Sequence, residues 1–292
     1  MAKVLIIGAG PAGVSAALYA RRGGADVVVL TRGPQTGGLA KAESIENYYG
    51  FAEPISGAEL ARRGVEGAKR LGVTFIEQEV LALSFPDTLS GFLAETADQT
   101  WEADSVILAA GASRQSLNVP GIREYEGRGV SYCAVCDAFF YRGKTAAVIG
   151  AGEYALHEAQ VLLPHAAKVM MLTNGAEPAV RIPETIEVHR EAVSAVEGEQ
   201  RVRSVRLDDG TALAADGVFL ALGTAGSTDL ARKIGALTDG SSIRVDEHMA
   251  TNVPGLFAAG DCTGGLLQIA KAVWQGAEAG LSAIRYLRQK QA

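Results

Sequence analysis

The strongest constraint on the fold is a strand–glycine–helix–strand pattern that occurs twice. Val4, Leu5, Ile6 and Ile7 form a short apolar run. Gly8-Ala9-Gly10-Pro11-Ala12-Gly13 follows, then a helical stretch over 14–22 and a second apolar run over 25–30. Such a βαβ unit predicts a parallel sheet. Its three glycines have separate duties. The first permits the tight turn, the second lets backbone approach a pyrophosphate, and the third lets helix pack closely on strand. The helix N-terminus then meets the anion. A run over 145–149, Gly150-Ala151-Gly152-Glu153-Tyr154-Ala155, a helix over 153–163 and a strand over 168–172 repeat the arrangement. Two Rossmann-like domains are expected, in keeping with 292 residues, more than one core usually serves.

Apolar runs at 105–110 and 217–222 end in Gly111 and Gly223, and each reads as the strand that closes a nucleotide domain. Near the end, 256–261 is strand, glycine and acid, ahead of a long helix of small and apolar residues over about 268–288. That last segment returns to the style of the first domain. The expected architecture is α/β, with two three-layer domains of FAD/NAD(P)-binding type, the second inserted into the first. Residues 1–112 with 245–292 form the FAD-binding domain, and 113–244 form the NAD(P)-type domain carrying a CxxC. A net charge of −6 argues against a nucleic-acid partner. The basic clusters Arg21-Arg22, Arg62-Arg63, Lys69-Arg70 and Arg285, Arg288, Lys290 read as solvated helix faces. No apolar stretch reaches the ~18 residues of a membrane span, and no cleavable leader stands at the start. Three cysteines are too few for a disulfide scaffold in a chain this long. A cytoplasmic chain is the expectation.

The two glycine turns differ in their surroundings. Gly8, Gly10 and Gly13 fill all three places. Thr31 stands where an acid would bond a ribose, and its hydroxyl offers a substitute. Gly260-Asp261 places a carboxylate at a strand end, suited to a ribityl hydroxyl or to capping the next helix. In the second turn the third place is Ala155, and Glu153 competes with an anion for the helix N-terminus. The following strand runs into Thr173-Asn174-Gly175-Ala176-Glu177-Pro178, with no Arg or Lys for a 2′-phosphate and no acid at the strand end for NADH.

Cys133-Ala134-Val135-Cys136-Asp137 precedes the second domain's first strand. Two cysteines three apart fit a disulfide across one turn, and at a helix start a thiolate becomes available. Asp137 is a candidate proton carrier. A zinc knuckle needs about four ligands and one CxxC supplies two, so no metal is expected. Inert buried thiols are the other alternative, and Cys262 is read that way. A flavin site with a CxxC in one cytosolic chain points to redox work. His157 and Glu158 lie on the second domain's helix; His157 is a candidate catalytic base, but with no partner identifiable the surface-helix reading is favoured.

At these positions the chain resembles the low-molecular-weight thioredoxin reductases over nearly its whole length. Besides the first glycine turn, the resemblance is carried by Thr36-Gly37-Gly38-Leu39 with Glu46-Asn47-Tyr48-Tyr49-Gly50-Phe51, and by Ala109-Ala110-Gly111-Ala112 and Val119-Pro120-Gly121. Gly127-Arg128-Gly129-Val130-Ser131-Tyr132 leading into the CxxC, and 251–261, complete it. The resemblance implies a homodimer with FAD on the split domain. Cys136 would exchange electrons with the flavin, Cys133 would attack thioredoxin or a thioredoxin-like protein, Asp137 would supply protons, and domain rotation would alternate the disulfide between them. Flavin contacts are implied at Gly37, Gly38, Asn47, Gly111, Asp261 and Gln268, with Leu39, Val80, Ala110, Gly260 and Ile269 alongside. The departures concern the donor. Where that family carries basic residues for NADPH, this chain has Thr173-Asn174-Gly175 and Ala179, and its Arg-Gln-Ala is Leu267-Gln268-Ile269. The pattern is more similar to ferredoxin-dependent and other pyridine-nucleotide-independent flavin thioredoxin reductases. The rival readings are an NADPH enzyme with altered phosphate recognition, a redox-sensing flavoprotein without turnover, and a second flavin or other nucleotide in the inserted domain. The segment with Tyr286 is a candidate cover for a flavin face.

Overall fold

The computed structural model describes residues 2–33, 36–111 and 117–291. The chain divides into two compact units, Met1–Ser113 with Gly226–Ala292, and Arg114–Ala225. The first unit opens with β1 (Lys3–Ile7), α1 (Pro11–Arg22), β2 (Asp26–Thr31), α2 (Gly57–Arg70) and β3 (Thr74–Glu77). An antiparallel meander of β4 (Ala82–Ser84), β5 (Phe92–Glu95) and β6 (Thr100–Ala103) leads to β7 (Ser105–Leu108). The second unit has β8 (Val130–Ser131), α3 (Ala134–Asp137), β9 (Thr145–Ile149), α4 (Glu153–Leu162), β10 (Lys168–Leu172) and β11 (Glu187–His189). Its own antiparallel meander, β12 (Val193–Gly198), β13 (Val202–Leu207) and β14 (Ala212–Ala214), precedes β15 (Gly217–Leu220). The chain then re-enters the first unit through α5 (Ser227–Lys233), the hairpin β16 (Thr238–Asp239) and β17 (Ser242–Ile243), β18 (Leu256–Ala258) and α6 (Ile269–Gln291).

Each unit is built on a five-stranded parallel sheet, in the order β18-β7-β1-β2-β3 in one and β11-β10-β9-β15-β8 in the other. The strand order reverses beside β1 and beside β9. Ligands of such sheets bind outside the strands' carboxyl ends at that reversal. The central strands β1, β7, β9 and β15 are apolar on both faces because both are covered. In the first unit Val4, Ile6, Val27, Val29 and Ile107 pack under Ala16 and Ala17 of α1 and Ala279 and Ala283 of α6. The two helices lie close enough that a Cβ on Gly276 would stand 2.1 Å from the Ala12 carbonyl oxygen. In the second unit Ile149, Met170, Leu172 and Val218 pack on Val193, Val196, Val205 and Leu207 of its meander.

Two expectations change. The return to the first unit comes at Gly226 rather than 245. The reason is polar anchoring: Ser227 Oγ accepts the Ala110 N–H at 2.9 Å, Lys233 donates to the Leu81 carbonyl at 3.0 Å, and Asn252 accepts the Leu237 N–H at 2.7 Å. Tyr286 packs on Phe257, with ring centroids 6.5 Å apart, and against Gly255. It therefore sits at the amino end of β18, away from the carboxyl ends where a nucleotide would lie. The linker near 113 and Ala112 lie outside the described residues.

Candidate active site

The first glycine turn sits at the β1–β7 reversal. Gly8 has φ +110°, and a Cβ there would be 2.4 Å from the Ala109 carbonyl oxygen. Its N–H donates to Leu30 O at 2.8 Å. Gly13 has no room either, since its Cβ would meet Gly8 O at 1.9 Å. Gly10, Gly37, Gly38 and Gly111 instead face open space. Ala9 and Ala12 are buried, Pro11 begins α1, and the first turn of α1 carries no acid. An anion thus finds free backbone and a twelve-residue helix pointing its N-terminus outward. The residues present fit a flavin dinucleotide.

The other positions expected to hold the cofactor fall into groups. Val80 is buried in the loop after β3, and Leu39 lies on a short turn packed on the start of α2. Thr31 Oγ1 accepts the Gly33 N–H at 3.2 Å. Asn47 and Gln268 are brought together: the Asn47 amide donates to Gln268 Oε1 at 3.1 Å. Ile269 opens α6 directly after it. Ala110 and Gly111 extend from β7, with Gly111 at φ +76°. Gly260, φ +87°, turns the chain so that Asp261 follows β18.

That last turn is fastened by residues the sequence reading passed over. Gln275 accepts the Gly260 N–H at 2.9 Å and the Thr263 hydroxyl at 2.9 Å. The Lys271 ammonium donates to Gly260 O at 2.9 Å, to Thr263 Oγ1 at 3.1 Å and to Gly264 O, which uses its three donors. Burial pushes the Lys271 pKa below its usual range, opposed by the Asp261 charge. Cys262 is fully buried, and desolvation raises its thiol to about 11, so it is an inert thiol at neutral pH.

The second glycine turn repeats the backbone of the first. Gly150 donates to Leu172 O at 2.9 Å, and its Cβ would lie 2.3 Å from the Ala221 carbonyl oxygen. Its environment differs. Glu153 stands in the first turn of α4. Ala179 N–H donates to Ala151 O at 2.8 Å, so the loop after β10 folds onto the glycine turn itself. The side chains of that loop are engaged locally. Thr173 hydroxyl donates to Ala176 O at 2.6 Å, and Asn174 Oδ1 accepts the Val193 N–H at 2.8 Å. Arg190, whose carbonyl accepts the Gly175 N–H, pairs with Glu177 at 3.2 Å.

Cys133 and Cys136 form a disulfide with their Cα atoms 5.3 Å apart. Cys133 is buried and Cys136 is exposed. Cys133 caps the four-residue α3, and its sulfur accepts the Cys136 N–H at 3.1 Å. Ser131 holds the segment from behind: its Oγ accepts the Cys133 N–H at 3.1 Å and donates to Asp137 Oδ2 at 2.6 Å. The Tyr141 phenol is pushed above its ordinary range, by burial first and by the Asp137 charge second. Two residues of α4 lie deeper than their sequence suggests. Glu158 is 1% exposed, and its Oε2 accepts the Ala134 N–H at 2.7 Å, between the two cysteines. His157 Nδ1 lies 3.5 Å from Glu158 Oε1 with its side chain only 16% exposed. Glu158 is buried and His157 only partly exposed, because this flank of α4 packs on α3 through the Glu158–Ala134 bond.

The sequence pattern of the pyridine nucleotide-disulphide oxidoreductases matches residues 2–276. The chain belongs to that family. It is a disulfide oxidoreductase, and within the family it groups with the low-molecular-weight thioredoxin reductases. It is 35% identical to the thioredoxin reductase of Aquifex aeolicus, covering 98% of this chain and 94% of that protein. The atypical thioredoxin reductase of Desulfovibrio vulgaris Hildenborough has a similar structure, with TM-score 0.93, 39% identity and 99% of each chain covered. The ferredoxin-flavin thioredoxin reductase of Clostridium acetobutylicum gives TM-score 0.74 at 31% identity, with 98% of each chain covered. Among the described residues no helix is long and apolar enough to cross a membrane.

Proposed function

We propose that the chain is a FAD-dependent reductase of thioredoxin or a similar protein disulfide. Electrons pass from the flavin to Cys133–Cys136 and on to the partner, and the donor to the flavin is ferredoxin or another non-nicotinamide carrier. The observation that carries the donor reading is the Ala179–Ala151 hydrogen bond, which lays the phosphate-recognition loop on the turn it would share with a nucleotide. With Thr173 and Asn174 engaged locally and Glu153 at the helix start, that turn retains the scaffold of a nicotinamide site without its recognition groups. We further infer a cytoplasmic homodimer.

In this reading Gly8, Ala9, Gly10, Pro11, Ala12 and Gly13 hold the pyrophosphate. Thr31 bonds a ribose hydroxyl and Asp261 a ribityl hydroxyl. Gly37, Gly38, Leu39, Asn47, Val80, Ala110, Gly111, Gly260, Gln268 and Ile269 line the remainder. When bound there, a flavin would supply the electron pair for opening the disulfide. Cys136, the exposed sulfur of the pair, would exchange electrons with the flavin. Cys133, buried in the oxidised chain, reaches the partner's disulfide after a rearrangement that uncovers it. Asp137, oriented by Ser131, delivers and recovers the proton at the cysteine sulfurs. Photoreduced enzyme, free of any other donor, is expected to reduce thioredoxin disulfide stoichiometrically. Flavin that reduces with no loss of thioredoxin disulfide would sink the assignment.

A second reading has one observation in its favour. Arg190 is brought beside the loop after β10, where it would stand in for missing phosphate-binding residues in an NADPH enzyme. Its pairing with Glu177 is a solvent-exposed contact, which is weak. A micromolar KM for NADPH, raised by Arg190→Ala, would select this reading.

A further inference from the structure

A buried carboxylate is costly unless hydrogen-bonded and paired. Glu158 is one, and it bonds the backbone between the two cysteines of the disulfide. The backbone N–H groups around Cys133 are shared out among three acceptors. The N–H of Cys133 goes to Ser131 Oγ, that of Ala134 to Glu158 Oε2, and that of Cys136 to the Cys133 sulfur. Glu158 therefore takes the donor adjacent to Cys133 and sets its carboxyl group beside that backbone, with His157 on the far side of it.

Reduction breaks the Cys133–Cys136 bond with two electrons and two protons to give a dithiol. With one proton fewer it leaves a thiolate. Surroundings that stabilise the thiolate make such a pair a stronger oxidant, because the reduced form is favoured. Glu158 acts in the opposite sense. We propose that Glu158 is a positioning residue that keeps the Cys133–Cys136 pair reducing, by withholding the Ala134 N–H and placing its charge against thiolate formation. Electrons would then move readily onward to a protein disulfide instead of resting on the pair. Asp137, hydrogen-bonded to Ser131, adds a second carboxylate on the same segment. The inference rests on Cys133–Cys136 being the transferring disulfide, and deepens that reading.

The test is the equilibrium of the full-length holoenzyme with dithiothreitol redox buffers at fixed pH, acid-quenched, alkylated and read by mass. This needs neither the electron donor nor thioredoxin. Glu158→Gln keeps the size and an acceptor for Ala134 but removes the charge. Its equilibrium is expected to shift about tenfold toward the dithiol, ~30 mV for a two-electron couple. Glu158→Ala removes charge and acceptor together and is expected to shift in the same direction. A shift in Glu158→Gln of less than about twofold would overturn the proposal. So would the failure of both variants to fold with flavin bound, since Glu158 would then be a purely structural residue. A wild-type pair that no buffer reduces would refute the transferring-disulfide reading itself, and the inference with it.

Discussion

The two glycine turns of this chain share a backbone and differ in almost everything that faces a ligand. Gly8 and Gly150 each donate to the neighbouring strand, at 2.8 and 2.9 Å, and each is pressed against a carbonyl that leaves no room for a side chain. Around the first, α1 starts without an acid, Gly10 faces open space, and Asp261 is held on a turn fastened by Lys271 and Gln275. Around the second, Glu153 stands at the helix start and Ala179 bonds the turn. The comparison teaches that the βα turn is a folding device first. Its ligand chemistry lies in the few side chains and loops added to it, and these differ between the two turns while the backbone does not. The second unit also carries the Cys133–Cys136 disulfide, whose segment bonds Glu158 of α4.

Removing that disulfide is the heaviest blow to the comparison. Cys136→Ser leaves Cys133 without its disulfide partner and is expected to lower thioredoxin reduction by at least about a thousandfold, the scale of losing one member of a catalytic unit, while flavin content measured by absorbance stays at one per chain. Asp137→Asn is expected to cost about a hundredfold in the same assay, the scale of one proton-transfer group, with the disulfide still forming. The glycine turns are then compared directly. Gly13→Ala places a Cβ 1.9 Å from Gly8 O, so backbone must move. A loss of about 3 kcal/mol in urea denaturation, with flavin released, is expected. Ala155→Gly at the equivalent place of the second turn should cost only about 1 kcal/mol and leave flavin content unchanged. The smallest effect is expected where basic residues are supplied. Asn174→Arg with Gly175→Arg should raise the rate of flavin reduction by NADPH no more than about threefold, because Ala179 and Glu153 still oppose a pyrophosphate there.

The sheets and both turns were legible in the sequence because apolar runs, glycines and helix starts report local backbone geometry. The CxxC was legible for the same reason, since its spacing is that of one turn. What escaped was set by contacts between distant segments. The hydroxyl of Ser227 and the ammonium of Lys233 tie 226–244 to the first unit, and nothing in so short and polar a helix announces it. Glu158 looked like one more acid on a helix until α3 was seen packed over it. Lys271, at a helix start where a cation is unfavourable, gave a faint signal of that kind, as its position is explained only by the carbonyls it binds. Ser131 gave none, because a serine before a CxxC reads as a turn residue until its hydroxyl is seen joining Cys133 to Asp137.

The central claim is that the second glycine turn no longer serves a nicotinamide. Its most direct test is anaerobic rapid mixing of the oxidised holoenzyme with NADPH, with NADH and with reduced ferredoxin, followed at the flavin absorbance. Bleaching within the dead time to seconds by ferredoxin alone is the expected result. Fast bleaching by either nicotinamide, at micromolar concentration, would contradict it.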